Sequence, residues 1–268
     1  MYTFVILCFG VFGDRQGVPK QLVSTSPMQK YAYVTYATSS KYALGSVAQF
    51  SQLRKLKSQG NFVLIHTCDL PERVVRKLRS LNVIMKRRNN FLQGVGTNSY
   101  YRNVFSKLLV FSLIEYDRIT YVESDALVMR NIDHLFQKST LLSMPIAYWL
   151  STTFMTNVLM TFNSSAALWG SVKRGAQKLG GRNMYDMDVM NELFNSTTER
   201  LSPLYAVLNC EWQTPKPWLK FGSATQLWHN AYMIHFTCLG KPWNWPRLHS
   251  NVYMSKLQAL WLTASSVE

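Results

Sequence analysis

An alternation of strand and helix patterns from Tyr31 to Met85 constrains the fold of this 268-residue chain more than any other feature. Three short runs rich in β-branched and aromatic residues predict strands, at Tyr31–Tyr36, Asn61–His66 and Asn82–Met85. Between them, apolar residues recur at helical spacing from Leu44 to Leu56 and again from Pro71 to Leu81. This β-α-β-α-β order implies parallel strands joined by right-handed crossovers.

A fourth strand is predicted at Arg118–Val122, after a predicted helix over Asn103–Tyr116. It runs directly into Glu123-Ser124-Asp125, and ligands of open α/β sheets bind beyond the carboxyl ends of strands. Side chains two positions apart on an extended segment point to the same side. We therefore expect Glu123 and Asp125 to face one hard divalent cation, Mn²⁺ or Mg²⁺. The structural alternative is a pair of solvated turn residues.

The composition is that of a folded protein, because 47% of the residues are hydrophobic and 16% are charged. We expect one α/β domain over residues 30–262, preceded by a lead over residues 1–29. The segment between Ser139 and Val172 carries no charged residue. It contains Pro145 and several hydroxyl side chains, so it predicts a loop and two buried strands rather than a membrane helix.

The net charge of +15 attracts polyanions, which include nucleic acid, anionic membrane surfaces and phosphorylated ligands. The basic residues are dispersed, and no nucleic-acid-binding motif accompanies them. We therefore expect no nucleic-acid partner, with membrane proximity as an open alternative.

The residues from Tyr121 to Phe136 carry a resemblance to a known family. An acidic-x-acidic tripeptide is followed by an apolar stretch, then by Asn131-Ile132-Asp133 and a Leu-Phe pair. This segment resembles the signature of the glycogenin-like glycosyltransferases, family 8. The resemblance implies a single GT-A-like nucleotide-diphospho-sugar transferase domain, with a Rossmann-like mixed sheet flanked by helices. It also implies that the two acids hold the metal and that Ser124 adjoins the donor, although the family has Asp where this chain has Glu123.

A second matching segment begins at His235 and ends in Lys241-Pro242-Trp243. Imidazole is a good third metal ligand, and a lysine can meet a diphosphate as a point charge. The resemblance implies that His235 completes the metal site and that Gly240 and Lys241 contact the pyrophosphate. A core histidine and a surface-loop lysine are the structural alternatives. Cys238 stands where glycogenin itself often has glycine.

The same resemblance assigns the nucleoside side of the donor. It implies that Tyr36, Thr38 and Tyr42 line the base and ribose, and that Lys107 meets the donor. Without it, Tyr42 would be read as a packing residue and Lys107 as a solvated lysine.

The segment Tyr185–Asn191 matches an acidic motif of the family, with Met187 where the family often has Gln. In a retaining transferase, Asp186 or Asp188 could stabilise an oxocarbenium-like species or act as a nucleophile. The structural alternative is that either acid caps a helix ending near Phe194. The Tyr-Asp-Met-Asp form is similar to fungal members of the N-acetylglucosaminyltransferase type.

We therefore expect a metal-dependent retaining glycosyltransferase that moves a sugar from a UDP-sugar to a glycan, glycoprotein or glycolipid acceptor. The alternative is a catalytically decayed relative that binds a sugar nucleotide or glycan, motivated by Glu123, Met187 and Cys238. The oligomeric state is left open.

The location of the protein is predicted from its first residues and from two glycosylation sequons, at Asn163 and Asn195. Met1–Gly13 is too short to span a bilayer and resembles the apolar region of a signal peptide. The alternatives are the remnant of a membrane anchor and an artefact of the choice of gene start. These features favour the secretory pathway and the Golgi lumen, or the cytoplasm if the segment is not a signal. None of the four cysteines is close enough to another in sequence to form a zinc knuckle, and the three that remain if Cys8 is cleaved away are not a disulfide framework.

Overall fold

The computed structural model describes residues 29–92, 103–182, 184–212, 221–245 and 251–267. The signal-like segment Met1–Gly13 lies outside these residues. The strands in the described ranges are β1 (Tyr31–Ala37), β2 (Asn61–His66), β3 (Val83–Arg87), β4 (Arg118–Val122), β5 (Ala126–Val128), β6 (Leu142–Pro145), β7 (Leu159–Asn163), β8 (Glu199–Leu201), β9 (Val207–Leu208) and β10 (Met233–His235). The α-helices are α1 (Ser40–Lys55), α2 (Glu72–Ser80), α3 (Ala166–Leu179), α4 (Asp186–Phe194), α5 (Ala224–Asn230) and α6 (Val252–Ser265).

A seven-stranded sheet with the order β3-β2-β1-β4-β7-β6-β8 forms the centre of the fold. The strand β1 pairs in parallel with β2 on one side and with β4 on the other, so the strand order reverses between β1 and β4. The strand β7 is antiparallel to both β4 and β6. The predicted α/β class, with a mixed Rossmann-like sheet flanked by helices, is confirmed.

Both faces of this sheet are covered, which explains the continuous apolar runs in the sequence. Successive side chains of a strand point to opposite faces. Accordingly, Ala32 and Val34 pack in one core cluster with α3 and α4, whereas Tyr33 packs with Phe62 in a second cluster with α1 and α2. The uncharged segment supplies β6 and β7 to the sheet, as its pattern predicts.

One predicted element differs from the structure. The segment expected to be an α-helix over Asn103–Tyr116 forms a 3₁₀ helix over Val104–Ser112. Every residue from Phe105 to Phe111 is buried, including a serine and a lysine. The segment is therefore enclosed on all sides, and the amphipathic pattern of a surface α-helix does not describe it.

A second, three-stranded sheet has the order β5-β10-β9. Its strand β5 begins shortly after β4 ends, so the two sheets are adjacent along the chain at this point. The helix α6 packs against α1 through Met254, Leu257 and Trp261, which share a core cluster with Ala48. The expected domain boundary at residue 262 falls inside α6, which continues to Ser265. Within the described ranges, none of the helices has the length and apolar character needed to cross a bilayer.

Candidate active site

A pocket of about 800 Å³ opens where the carboxyl ends of β1 and β4 diverge. Such a reversal of strand order leaves a crevice in which α/β proteins bind ligands. The predicted site residues that line it are Tyr36, Thr38, Tyr42, Lys107, Glu123, Ser124, Asp125, Asp186, Asp188, His235 and Lys241. Gly240 does not line the pocket. It precedes Lys241 with a left-handed φ of 77°, which glycine adopts without strain.

Glu123, Asp125 and His235 form a cluster that could hold a metal ion, with one ligand atom from each within 4.8 Å of the others. The Nε2 atom of His235 lies 3.4 Å from Oε2 of Glu123 and 3.7 Å from Oδ1 of Asp125. Carboxylate oxygen and imidazole nitrogen together suit a first-row divalent cation such as Mn²⁺. The donor set therefore fits the metal that the sequence resemblance implies.

Strand pairing brings the histidine to the two acids. The antiparallel register of β10 and β5 places His235 opposite Ala126, directly after Asp125. The backbone N–H of Phe236 also donates to the carbonyl oxygen of Asp125 at 2.9 Å. The three ligands therefore come from the ends of two sheets, on backbone that is fixed by interstrand hydrogen bonds.

Burial sets the protonation of this cluster. Burial lowers the pKa of His235 to about 4, against the opposing charge of Asp125, so the neutral imidazole is available to a metal at pH 7. Burial also raises the pKa of Glu123 to about 7, although Lys107 opposes this. For Asp125, the nearby His235 and Lys241 outweigh burial and lower the pKa. A bound dication would favour the charged form of both acids.

Lys107 is buried within the pocket wall rather than solvated. Its ammonium pairs with Glu123, lies 2.7 Å from Oδ2 of Asp186 and donates to Oδ1 of Asn157 at 3.1 Å. Burial acts to lower the pKa of Lys107, but Asp186 and Glu123 outweigh it and raise the pKa. Lys107 is therefore a fixed positive charge between two acids.

The two acids at the start of α4 have different surroundings. Asp188 accepts the backbone N–H of Tyr185 at 2.9 Å through Oδ2, which is half of a helix capping box. Asp186 is buried and accepts the side-chain amide of Asn157 at 2.7 Å. The capping alternative therefore holds for Asp188 as the third helical residue, whereas Tyr185 is the N-cap.

Lys241 reaches back into the metal cluster. Its Nζ atom donates to the carboxylate of Asp125 and to the carbonyl oxygen of Phe236, the latter at 2.9 Å. Lys107 and Lys241 thus neutralise one predicted metal-ligating acid each.

A disulfide between Cys210 and Cys238 holds the loop that leads to Lys241. The sequence indicated no disulfide framework, and this single disulfide was not predicted. The parallel pairing of β9 with β10 sets Leu208 opposite His235, and the two cysteines follow these residues. A contact made by short strands far apart in the chain leaves no local pattern. Among the described residues Cys68 is the free cysteine.

The predicted nucleoside-binding residues surround the junction of β1 and α1. The hydroxyl of Ser124 donates to the carbonyl oxygen of Tyr36 at 2.7 Å, so it ties the end of β1 to the segment after β4. A Cβ atom on Gly45 would lie 2.0 Å from the carbonyl oxygen of Ser124, so only glycine allows this approach. Tyr42 lines the pocket and also packs edge-on against Trp243, with ring centroids 5.0 Å apart.

Several pocket residues were not assigned from the sequence, among them Asn157, Trp149 and Leu150. They lie in the uncharged segment between Ser139 and Val172. Its patterning indicated buried strands, and its apolar residues did not distinguish a pocket-lining side chain from a core one. The one available signal was that a polar Asn interrupts an apolar run.

No family model matches the chain. It is 27% identical over 239 residues to Glucose N-acetyltransferase 1 of Gibberella zeae, a match that covers 80% of this chain and 53% of that protein. It is 24% identical over 240 residues to glycogenin-1 of Oryctolagus cuniculus, covering 81% and 67%. Among solved structures, galactosyltransferase LgtC in complex with donor and acceptor sugar analogs matches with a TM-score of 0.67, 14% identity, and coverage of 88% and 97%.

These similarities confirm the predicted resemblance to the glycogenin-like glycosyltransferases, and the structural match confirms the GT-A fold. The chain spans about half the length of the Gibberella zeae relative.

Proposed function

We propose that this chain, a relative of the glycogenin-like glycosyltransferases, is a metal-dependent retaining transferase that moves a sugar from a UDP-sugar to a glycan, glycoprotein or glycolipid acceptor. The convergence of Glu123, Asp125, His235 and Lys241 in one pocket at the strand reversal carries the proposal. The first three would hold Mn²⁺ or Mg²⁺, which when bound supplies positive charge opposite a diphosphate. The transferase domain would extend from residue 30 through the end of α6.

In this proposal each charged side chain of the pocket has its own role. Lys241 presents a positive charge beside Asp125, where it can receive charge that develops on the departing diphosphate. Lys107 holds Glu123 and Asp186 at fixed positions, which keeps the reacting groups oriented. Tyr36 and Thr38, at the end of β1, line the part of the pocket that would receive the nucleoside.

Asp186 is the acid proposed to face the anomeric carbon. Lys107 and Asn157 hold its carboxylate, which could stabilise developing positive charge or form a covalent intermediate. The bond from the anomeric carbon to the diphosphate oxygen breaks, and a bond to the acceptor oxygen forms on the same face of the sugar. The acceptor proton passes to the released diphosphate.

A second function, the binding of a sugar nucleotide or glycan without turnover, is favoured by one observation. Lys107 and Lys241 already neutralise Glu123 and Asp125. Each acid therefore has a partner within the protein that competes with a metal ion for it. Replacement of the family's first Asp by Glu123 would act in the same direction.

The test of the proposed function is hydrolysis of the donor. Purified protein is incubated with UDP-glucose, UDP-galactose or UDP-N-acetylglucosamine, with Mn²⁺ or with a chelator, and UDP release is followed. We expect release from one donor, lost on chelation and reduced roughly 100-fold or more in Asp125→Asn. The matched control is Asp69→Asn, an exposed acid paired with Arg87 outside the pocket, which should release UDP at the wild-type rate.

Two results would contradict the transferase proposal in different ways. Metal-dependent binding of UDP without release from any of the donors, even with glycan acceptors added, would favour the binding function. Absence of metal-dependent UDP binding would remove both the transferase function and the binding of a sugar nucleotide.

We also propose that the protein works in the lumen of the secretory pathway. The Cys210–Cys238 disulfide supports this location, because disulfides persist in oxidising compartments. Expression in eukaryotic cells should give a product whose mobility changes on glycosidase treatment and in Asn195→Gln. A cytosolic, unglycosylated product would contradict the location.

A further inference from the structure

The walls of the pocket differ in charge. One group of lining residues is ionisable and comprises Lys107, Glu123, Asp125, Asp186, Asp188, His235 and Lys241. Another group comes from the segment between Ser139 and Val172, which has no charged residue, and comprises Trp149, Leu150, Thr156 and Asn157. The metal binding and diphosphate binding proposed above account for the ionisable group. The uncharged group has no role in that chemistry apart from the contacts of Asn157.

Leu150 is a large apolar side chain that is exposed on this wall. It is 58% exposed although it lines a pocket, whereas the adjoining Trp149 is partly buried and packs against the core. Apolar surface presented to a pocket marks a binding surface more often than a packing requirement. Tyr185 and Met187, at the start of α4, line the same pocket and add an aromatic ring and an adaptable thioether.

The turn that carries Trp149 and Leu150 is held in place by hydrogen bonds within the protein. The hydroxyl of Tyr148 accepts the backbone N–H of Leu208 at 3.0 Å and donates to Glu211 at 3.1 Å. The backbone N–H of Leu150 donates to the carbonyl oxygen of Ala147 at 2.8 Å, which closes the turn. A surface fixed in this way loses little conformational entropy on binding, which favours a weakly interacting ligand such as a sugar.

We propose that Trp149 and Leu150, together with Tyr185 and Met187, form an acceptor wall that binds an uncharged sugar unit of the acceptor glycan. The apolar C–H face of the sugar ring would lie on the indole and the leucine side chain, and the exposed hydroxyls of Ser151 and Thr153 would border it. The absence of charge on this segment selects a neutral sugar. The inference rests on the proposed function, because it names the second substrate of that site.

The test measures sugar binding rather than turnover. Saturation-transfer difference NMR is recorded with cellobiose, maltose, lactose and xylobiose, and with a carboxylated hyaluronan disaccharide, in the presence of UDP and the diamagnetic Mg²⁺. We expect at least one neutral disaccharide to bind, and Trp149→Ala and Leu150→Ser each to raise its Kd about fivefold or more. Leu150 is exposed, so Leu150→Ser should fold even where Trp149→Ala does not.

The matched control is Leu141→Ser, which lies in the same uncharged segment, is 47% exposed and does not line the pocket. It should bind the disaccharide as the wild type does. The proposal is overturned if no neutral disaccharide binds, if both wall variants bind with unchanged Kd, or if the carboxylated disaccharide binds more tightly than every neutral one.

This test is separable from the donor assay. Disaccharide binding that depends on Leu150, found without UDP release from any donor, would keep the acceptor wall and remove the transferase function. UDP release combined with unchanged disaccharide binding in both variants would do the reverse.

Discussion

The ammonium group of Lys107 holds two acids and an amide in place in the wall of the pocket. Glu123 and Asp186 would repel each other in this buried site if the lysine were absent. A buried charge that loses its partner costs more than an exposed one, because water cannot replace the partner. Lys107 therefore contributes to the stability of the protein as well as to the orientation of the acids.

We expect Lys107→Met to lower the free energy of unfolding by roughly 3 kcal/mol, because it removes the cation that two buried acids share. Urea denaturation measures the change. The control is Lys138→Met, which breaks a 2.5 Å pair with Glu199 in which both side chains are about one-third exposed. That variant should lose less than about 1 kcal/mol. Equal losses in the two variants would contradict the buried role of Lys107.

Metal affinity should depend on pH through Glu123. Its pKa of about 7 means that a proton competes with the metal below neutrality, and the proton-bound form dominates as the pH falls. The apparent affinity for Mn²⁺ should therefore decrease as the pH falls below 7, approaching tenfold per unit. The pKa of His235, about 4, keeps the imidazole from adding to this dependence above pH 5.

Isothermal titration with Mn²⁺ between pH 5 and 8 measures this dependence. Glu123→Gln should bind the metal more weakly throughout, and its affinity should be nearly constant between pH 6 and 7. A wild-type affinity that is constant over the same interval would contradict the assignment to Glu123.

At the scale of elements, the sequence predicts those structures whose pattern is local. The strand β2 has the predicted bounds Asn61–His66, and the helical spacing predicted from Leu44 to Leu56 falls on α1, Ser40–Lys55. The antiparallel course of β7, the small sheet and the disulfide were not predicted. A strand such as β9, with only Val207 and Leu208, has no period to recognise and is defined by its neighbour β10.

The start of α4 offers a direct comparison of an acid that caps the helix with an acid proposed to act on the substrate. Asp188→Ala should lower the free energy of unfolding by about 1 kcal/mol, because it removes an acceptor from the first turn of the helix. It should change the rate of sugar transfer less than threefold or so. Asp186→Asn should instead lower transfer roughly 100-fold if, as proposed above, its carboxylate faces the reacting carbon. Parallel denaturation and transfer assays test both, and the reverse ranking in transfer would exchange the two roles.

At the scale of the whole molecule, most of the predicted site residues line one pocket because two sequence motifs that are far apart in the chain converge on the same metal-ligating cluster. The motifs around Glu123 and His235 contain the charged groups that the proposed chemistry needs, so their residue types were informative. Asn157 and Trp149 reach the pocket through the tertiary fold alone. Their neighbours are apolar in sequence, and only the position of the turn before β7 brings them to the site.

The net charge of +15 should act on the donor and leave the neutral acceptor unaffected. Raising NaCl from 20 to 300 mM shortens the screening length from about 20 Å to about 6 Å. The KM for the UDP-sugar should therefore rise several-fold, while the Kd of a neutral disaccharide stays the same. Steady-state kinetics and NMR titration at both salt concentrations measure these effects. A KM that does not respond to salt would contradict electrostatic attraction of the donor.

The bridge between Cys210 and Cys238 also limits how such a chain can change over generations. A mutation that removes one of the cysteines leaves the other as a free thiol, which can exchange with foreign disulfides in the oxidising compartment proposed above. A second mutation that removes the remaining cysteine ends that hazard. Selection therefore acts on the two cysteines as one inherited unit, and descendants should keep both or lose both.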